Sequence, residues 1–480
     1  MLLNPPTRLP EAMVQRREVL LTLLLVLIVI ASRLVALPAT IWDQDEAYLA
    51  AAVIEPAPAA GHPFPPYSPL WILLGRAAAA TGLDPARGLQ IMSLFFSIAM
   101  VPALIIMWSV LLPHRQAILA ALLFSALPGP WLLAGRAFAG TAATALLVLA
   151  MAFWIEGFPS RLRLACSSVA AGSAILIRPQ LGVALFLILP WIWWRTERGQ
   201  RRWLGLPFTA MALLGAAGLV ARAGSPGVLV DTLRHQTAQH LAHLGEASRS
   251  LAASGLAASL GGLLPAVLWV GLAAVGLLSL LYQRDSRLRA ALVLSGLLPV
   301  ALSVWLFADP GHARNAVPLL ALSSGFVVAG IARLVGGFAT HLVVAGVVVL
   351  AAFTLVPELA AYRREPAPVL EALGAAEAAV GGDRTICVDR RLQAFVEYEK
   401  AAGRLTSQVL FDHVAVLDGA PALPGSCTVA VLSAGHPELA RIAGPRLRFV
   451  REGRWLGGLI CSEFRDVTVV LTSPSQPRTR

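Results

Sequence analysis

Residues 19–48 read VLLTLLLVLIVIASRLVALPATIWDQDEAY, an apolar run that ends near Pro38 and passes almost directly into three carboxylates, Asp43, Asp45 and Glu46. Apolar runs of roughly 17 to 25 residues can cross a bilayer as helices. Further runs lie at about 89–112, 116–133, 139–157, 163–178, 180–195, 204–222, 257–281, 289–307, 315–334 and 338–356. Hydrophobic residues make up 57% of the 480 and charged residues 14%, with a mean hydropathy of +0.72. That balance defines a mainly α, polytopic membrane protein of about eleven transmembrane helices. The function of the acidic stretch then depends on which side of the membrane it faces.

The charge pattern gives the orientation. Lys and Arg total 38 against 27 Asp and Glu, and Lys400 is the only lysine. A pI near 10.6 would suit nucleic acid, but the arginines sit in short clusters between apolar runs, where they act as topology signals. Arg8, Arg16 and Arg17 precede the first run, which has no cleavage site followed by a soluble mature chain, so an uncleaved helix with a cytoplasmic N-terminus is expected. Stepping through the spans places Arg115, Arg161 and Arg163, the cluster Arg195 to Arg202, and Arg284, Arg287 and Arg289 on the same inner side. An odd number of spans leaves the acidic loop and the tail outside. The expected organisation is a transmembrane domain over 1–356, with its first external loop at 38–88, and a periplasmic domain over 357–480. The setting expected for it is a bacterial inner membrane.

The external segments differ in character. Loop 38–88 carries GHPFPPYSPLW at 61–71, where clustered prolines break continuous helix. Segment 223–256 has the spacing of an amphipathic surface helix. In the tail, the β-like runs TICVD, CTVAVLSAG and DVTVVLTS alternate with Ala-rich helical stretches such as 368–380, which predicts a small α/β domain. Cys387, Cys427 and Cys461 all fall in this tail, so one disulfide is expected there, its pairing open; Cys166 belongs to a membrane helix.

Charge at the mouth of a helix bundle is costly and usually functional. The plainer alternative is a solvated loop or a helix cap, since Asp43 or Asp45 can cap a helix beginning at Glu46. Arg136, Arg178 and Arg314 lie at external helix ends, away from the cytoplasmic clusters. An arginine there ordinarily snorkels to headgroups, but a planar guanidinium also binds phosphate oxygens in pairs.

These motifs resemble the GT-C glycosyltransferases, above all the protein O-mannosyltransferases and the lipid A aminoarabinose transferases. The resemblance rests on WDQDEAYLAAAV at 42–53, HPFPPYSPLWILLGRAAAATG at 62–82, AGRAFAGTAATALLVLA at 134–150, ILIRPQLGVALFLILP at 175–190 and GHARNAVPLLAL at 311–322. It covers about residues 15–335 in order and topology. It implies a GT-C-like bundle and transfer of a sugar from a polyprenyl-phosphate carrier to a glycan, lipid or protein acceptor outside the membrane. Asp45 matches the family's catalytic Asp and would act as general base. Glu46 would orient the acceptor or hold a cation. Arg178 and Arg314, with Arg136, would neutralise the donor phosphate, while Asp43, Tyr67, His62 and His312 are the further substrate-binding candidates.

Two departures stand out. The family's second-turn Asp, five residues after the Arg, is Thr141 here, and Tyr67 and Ser68 replace the acidic-basic pair before Pro69 and Leu70. No metal site is therefore expected, although a divalent cation stays open as a cofactor. The competing functions are a polytopic transporter, which would show two matching halves and midplane charges, and a non-catalytic GT-C-like subunit of cell-envelope glycan assembly.

Overall fold

The computed structural model describes residues 11–54, 68–156, 160–228, 255–306, 312–380, 385–412, 427–433, 445–451 and 462–471, with positions 230, 231, 234 and 436. Tyr67, His62 and most of segment 223–256 lie outside them. Every apolar run of the sequence falls on helix: α1 Glu11–Val35, α4 Pro85–Ser109, α5 His114–Ala126 with α6 Pro128–Leu133, α7 Ala139–Glu156, α8 Arg161–Ile177, α9 Gly182–Arg195, α10 Arg201–Ala223, α11 Gly255–Leu260 with α12 Leu263–Tyr282, α13 Arg287–Leu306, α14 Ala313–Val335 and α15 Gly337–Arg364. Among the described residues, six helices are long and apolar enough to cross a membrane. Several of the others are shorter or broken, as at Pro128, whose ring cannot continue α5.

Loop 38–88 is partly helical among its described residues. It holds α2 Gln44–Ile54 and α3 Pro69–Ala79. Pro69 opens α3 because a first-turn position has no helical acceptor for its missing N–H anyway. Arg76 then closes α2 by donating to the Val53 and Ala52 carbonyls at 3.3 and 3.2 Å.

Close helix contacts hold the bundle where hydrophobic exclusion between helices is absent. Helices α12 and α14 meet backbone to backbone: a Cβ at Gly276 would lie 1.8 Å from the Phe326 carbonyl oxygen, and one at Gly330 2.1 Å from that of Leu272. Trp108 packs edge-on against Phe326 at 5.0 Å between ring centres.

Helix α15 runs past the expected boundary at 356 as far as Arg364. Beyond it lie α16 Pro368–Val380, β1 Thr385–Asp389, α17 Gln393–Ala401, β2 Gln408–Asp412, β3 Cys427–Ser433, β4 Arg446–Val450, α18 Ser462–Arg465 and β5 Asp466–Leu471. The sheet order is β2-β1-β3-β5-β4. β1 runs parallel to β2 and β3, and β5 is antiparallel to β3 and β4. Central β1 is buried over Ile386 to Asp389, as a parallel strand flanked on both edges should be. Cys387 is disulfide-bonded.

The tail is joined to loop 38–88 by a continuous apolar core. Ile41, Trp42, Ala47 and Ala50 pack in one cluster with Tyr362, Leu373, Phe395 and Val469. Polar contacts fix the register: Tyr398 and Arg404 donate to Asp84 at 3.0 and 3.1 Å, and the Ala367 N–H donates to Thr40 Oγ1 at 2.9 Å. Asp84 is itself the N-cap of α4, accepting from Ala86 and Arg87.

Candidate functional site

The acidic stretch folds as a helix start, and each carboxylate acquires a different surrounding. Asp43 sits immediately before α2: its Oδ1 accepts the Asp45 N–H at 3.0 Å and its carbonyl accepts the Ala47 N–H at 3.1 Å. This satisfies amides that the first turn leaves without partners. Glu46 turns back and accepts the Trp42 N–H at 2.9 Å, a variant of the reciprocal capping arrangement.

Glu46 also receives the connection between α6 and α7. Its Oε2 accepts Arg136 Nη2 at 2.7 Å and Nε at 3.2 Å, and its Oε1 accepts the Ala137 N–H at 2.8 Å. Both side chains are completely shielded from solvent. Burial works against the Arg136 charge, yet Glu46, Tyr362 and Asp43 hold its pKa above the ordinary guanidinium value. This geometry differs from the sequence expectation that Glu46 meets acceptor and Arg136 meets phosphate. Neither presents an atom to solvent, because each satisfies the other's desolvated charge.

Asp45 is the most accessible of the three carboxylates. Its Oδ2 pairs with Arg314 Nη1, and the two side chains remain 30% and 22% accessible. Asp43 lies between the dry and wet pairs, 3.8 Å from Arg136 and 3.7 Å from Arg314. Phe138 is a shared platform: the Arg136 and Arg314 guanidinium carbons stand 4.5 and 5.1 Å from its ring centre.

Arg178, at the C-terminal end of α8, reaches the first turn of α14. It donates to the Arg314 carbonyl at 3.3 Å and to the side-chain oxygen of Asn315. The three arginines and three carboxylates expected at external helix ends therefore meet in one place. His312 is half-buried at the start of α14, its backbone against Gly255. Thr141 is buried and donates to the Leu133 carbonyl at 3.3 Å, closing the α6–α7 turn.

Four residues of the site were not singled out from sequence. Phe138 and Gly140 are embedded in the AGRAFAG segment, whose small residues permit close approach. Asn315 follows Arg314 directly. Tyr362 lies in the last turn of α15 with its ring tilted against Trp42, 4.7 Å between ring centres; nothing in AAYRREP signals that contact.

Gly140 has a measurable consequence. A Cβ there would stand 2.7 Å from Arg178 Nη1. In a Gly140→Ala protein the flexible guanidinium must swing off Arg314 and Asn315. Losing those two bonds should lower stability by about 1 to 3 kcal/mol. A thermal melt checks this, and an unchanged melting temperature would mean that the guanidinium keeps its bonds to Arg314 and Asn315.

Among the described residues no three His, Cys, Asp or Glu side chains are placed to share a metal ion. Each carboxylate of the cluster has an arginine beside it.

No family model matches the chain, and no curated protein matches it. Solved structures do. The apo oligosaccharyltransferase of Archaeoglobus fulgidus superposes with a TM-score of 0.55 at 10% identity, covering 87% of this chain and 69% of that one. ArnT from Cupriavidus metallidurans bound to undecaprenyl phosphate superposes with a TM-score of 0.55 at 14% identity, covering 95% of this chain and 99% of that one. Its apo state superposes at 0.51. The chain thus shares its fold with these two solved structures, in keeping with the GT-C-like bundle expected from the sequence.

Proposed function

We propose that the chain is an integral membrane glycosyltransferase that moves a sugar from a polyprenyl-phosphate carrier to an acceptor hydroxyl on the extracytoplasmic side. The observation that carries this is the meeting of Asp45, a partly exposed carboxylate, with Arg314 and Arg178 at one mouth of the bundle. A base and a phosphate-binding cation are the two groups the transfer demands, and they must lie within one substrate length of each other. The undecaprenyl phosphate bound by the structurally similar ArnT supports a lipid carrier.

In this mechanism Asp45 accepts the proton of the acceptor hydroxyl as its oxygen attacks the anomeric carbon. Arg314 and Arg178 stabilise the negative charge that develops on the departing lipid phosphate. Arg314 lies in the first turn of a 23-residue helix, whose N-terminal amides add a favourable field for an anion. Arg136 and Glu46 are the internal brace that holds α2 and the Asp45 side chain in register. The tail, taken as periplasmic, clamps the same loop through Asp84 and Thr40. The cytoplasmic N-terminus and bacterial plasma membrane belong to this proposal.

A non-catalytic subunit is the second reading, because Thr141 occupies the place of the family's second acidic residue and is spent on a backbone carbonyl. The two readings separate in one experiment. Mass spectrometry of envelope glycans and polyprenyl-phosphate sugars in a deletion strain complemented with wild-type or Asp45→Asn protein should show accumulated donor and missing product in the variant alone. Full complementation by Asp45→Asn would favour the subunit and sink the transferase.

A further inference from the structure

We propose that Arg314 is a shared counter-ion that masks Asp45 until donor binds, so that loading of the lipid phosphosugar is what releases the base for the acceptor. This rests on the transferase reading of the site.

The cluster has two tiers that differ in their freedom to rearrange. In the dry tier, Glu46 and Arg136 have no solvent access, and the carboxylate accepts four hydrogen bonds. Separating that pair would strand charge in a low-dielectric interior, so it stays closed. In the wet tier, Asp45 and Arg314 keep 30% and 22% accessibility, and solvent screening makes their separation cheap. Arg314 keeps other attachments when it leaves Asp45, among them the Phe138 face at 5.1 Å and Asp43 Oδ1 at 3.7 Å. Its backbone carbonyl is held by Arg178. The guanidinium can therefore shift while its root stays fixed.

Charge supplies the direction of the shift. The cluster brings three carboxylates together with Arg136 and Arg314, and Arg178, which bonds Asn315 and the Arg314 carbonyl, sets a second like charge beside Arg314. A phosphodiester arriving there is attracted by both. It draws Arg314 off Asp45 and leaves the carboxylate's proton-accepting lone pairs open.

The reaction then moves one negative charge along the same path. The acceptor O–H bond breaks and its proton joins Asp45. The acceptor oxygen bonds the anomeric carbon, and the bond from that carbon to the phosphate oxygen breaks, its electron pair remaining on the lipid phosphate. Asp45 loses a charge as the phosphate gains one, and Arg314 stands beside both. Nothing outside the two substrates is consumed.

A double-mutant cycle tests this with undecaprenyl phosphate as the probe on purified full-length protein in nanodiscs. If Asp45 competes for Arg314, Asp45→Asn should bind the probe about 10-fold more tightly than wild type, as a charge-assisted bond no longer has to be exchanged. Arg314→Gln should weaken binding, and adding Asp45→Asn to it should restore less than about 2-fold, the signature of two residues acting as one unit. Equal tightening in both backgrounds would mean simple repulsion between carboxylate and phosphate and would overturn the shared role. So would no tightening in the single variant. Wild-type protein that fails to bind the probe would bring down the transferase reading as well, which distinguishes the two failures. Thermal unfolding of each variant confirms that the compared proteins are folded.

Discussion

Replacing Asp45 with asparagine is expected to leave a folded protein whose sugar-transfer rate is lower by about 100-fold to 10,000-fold, the usual contribution of a positioned general base. Folding should survive because the Asp45 side chain is partly exposed and contributes no cap to α2. The capping oxygen belongs to Asp43, which binds the backbone N–H of residue 45 whatever its side chain. The amide is isosteric with the carboxylate but is too weak a base to take a proton from an alcohol. An assay with a radiolabelled polyprenyl-phosphate sugar, read beside a thermal melt, separates chemistry from stability. Turnover within about 2-fold of wild type would exclude Asp45 as the base.

The adjacent residue should behave in the opposite way. Glu46→Ala is expected to cost about 3 to 5 kcal/mol of stability, because it leaves the Arg136 guanidinium buried with no counter-charge. It also strips the acceptor from the Trp42 and Ala137 amides. Arg136→Ala should cost a similar amount by stranding Glu46. Combining the two with apolar residues of matching volume should recover much of the loss, because the penalty lies in the unpaired charge rather than in the absence of the bond. Thermal unfolding in detergent with intrinsic tryptophan fluorescence reads this directly, since Trp42 sits in the affected loop. A melting temperature unchanged in Glu46→Ala would contradict the buried-brace assignment.

The contrast between Asp45 and Glu46 shows where sequence reasoning reaches and where it stops. The apolar runs were legible because lipid imposes one solution on them: each must satisfy its own backbone, so length and hydropathy predict helix. TICVD, CTVAVLSAG and DVTVVLTS were legible for a related reason, as inner strands covered on both faces carry unbroken β-branched runs. Edge strands β2, QVLFD, and β4, RLRFV, lack that signature. With one side open, Gln408 and Arg446 can face water, and the pattern blurs. Helix α17 was missed because its apolar face is short and is completed only by docking on α2.

The order of motifs also carried the fold, since helix order and external turns follow chain order. Three carboxylates beside one helix end, and arginines at three later helix ends, were visible as a list. Their pairing was not. Glu46 meets Arg136 across 90 positions of chain, and Arg178 reaches Arg314 and Asn315 across 136 and 137. Local spacing cannot assign a partner at such separations. Two neighbouring carboxylates with nearly the same local context became a buried ion pair and an accessible one only when α2 turned one toward the α6–α7 connection and the other toward α14. Desolvation makes the first pairing obligatory and solvent leaves the second exchangeable, and desolvation belongs to the packed bundle rather than to any stretch of chain.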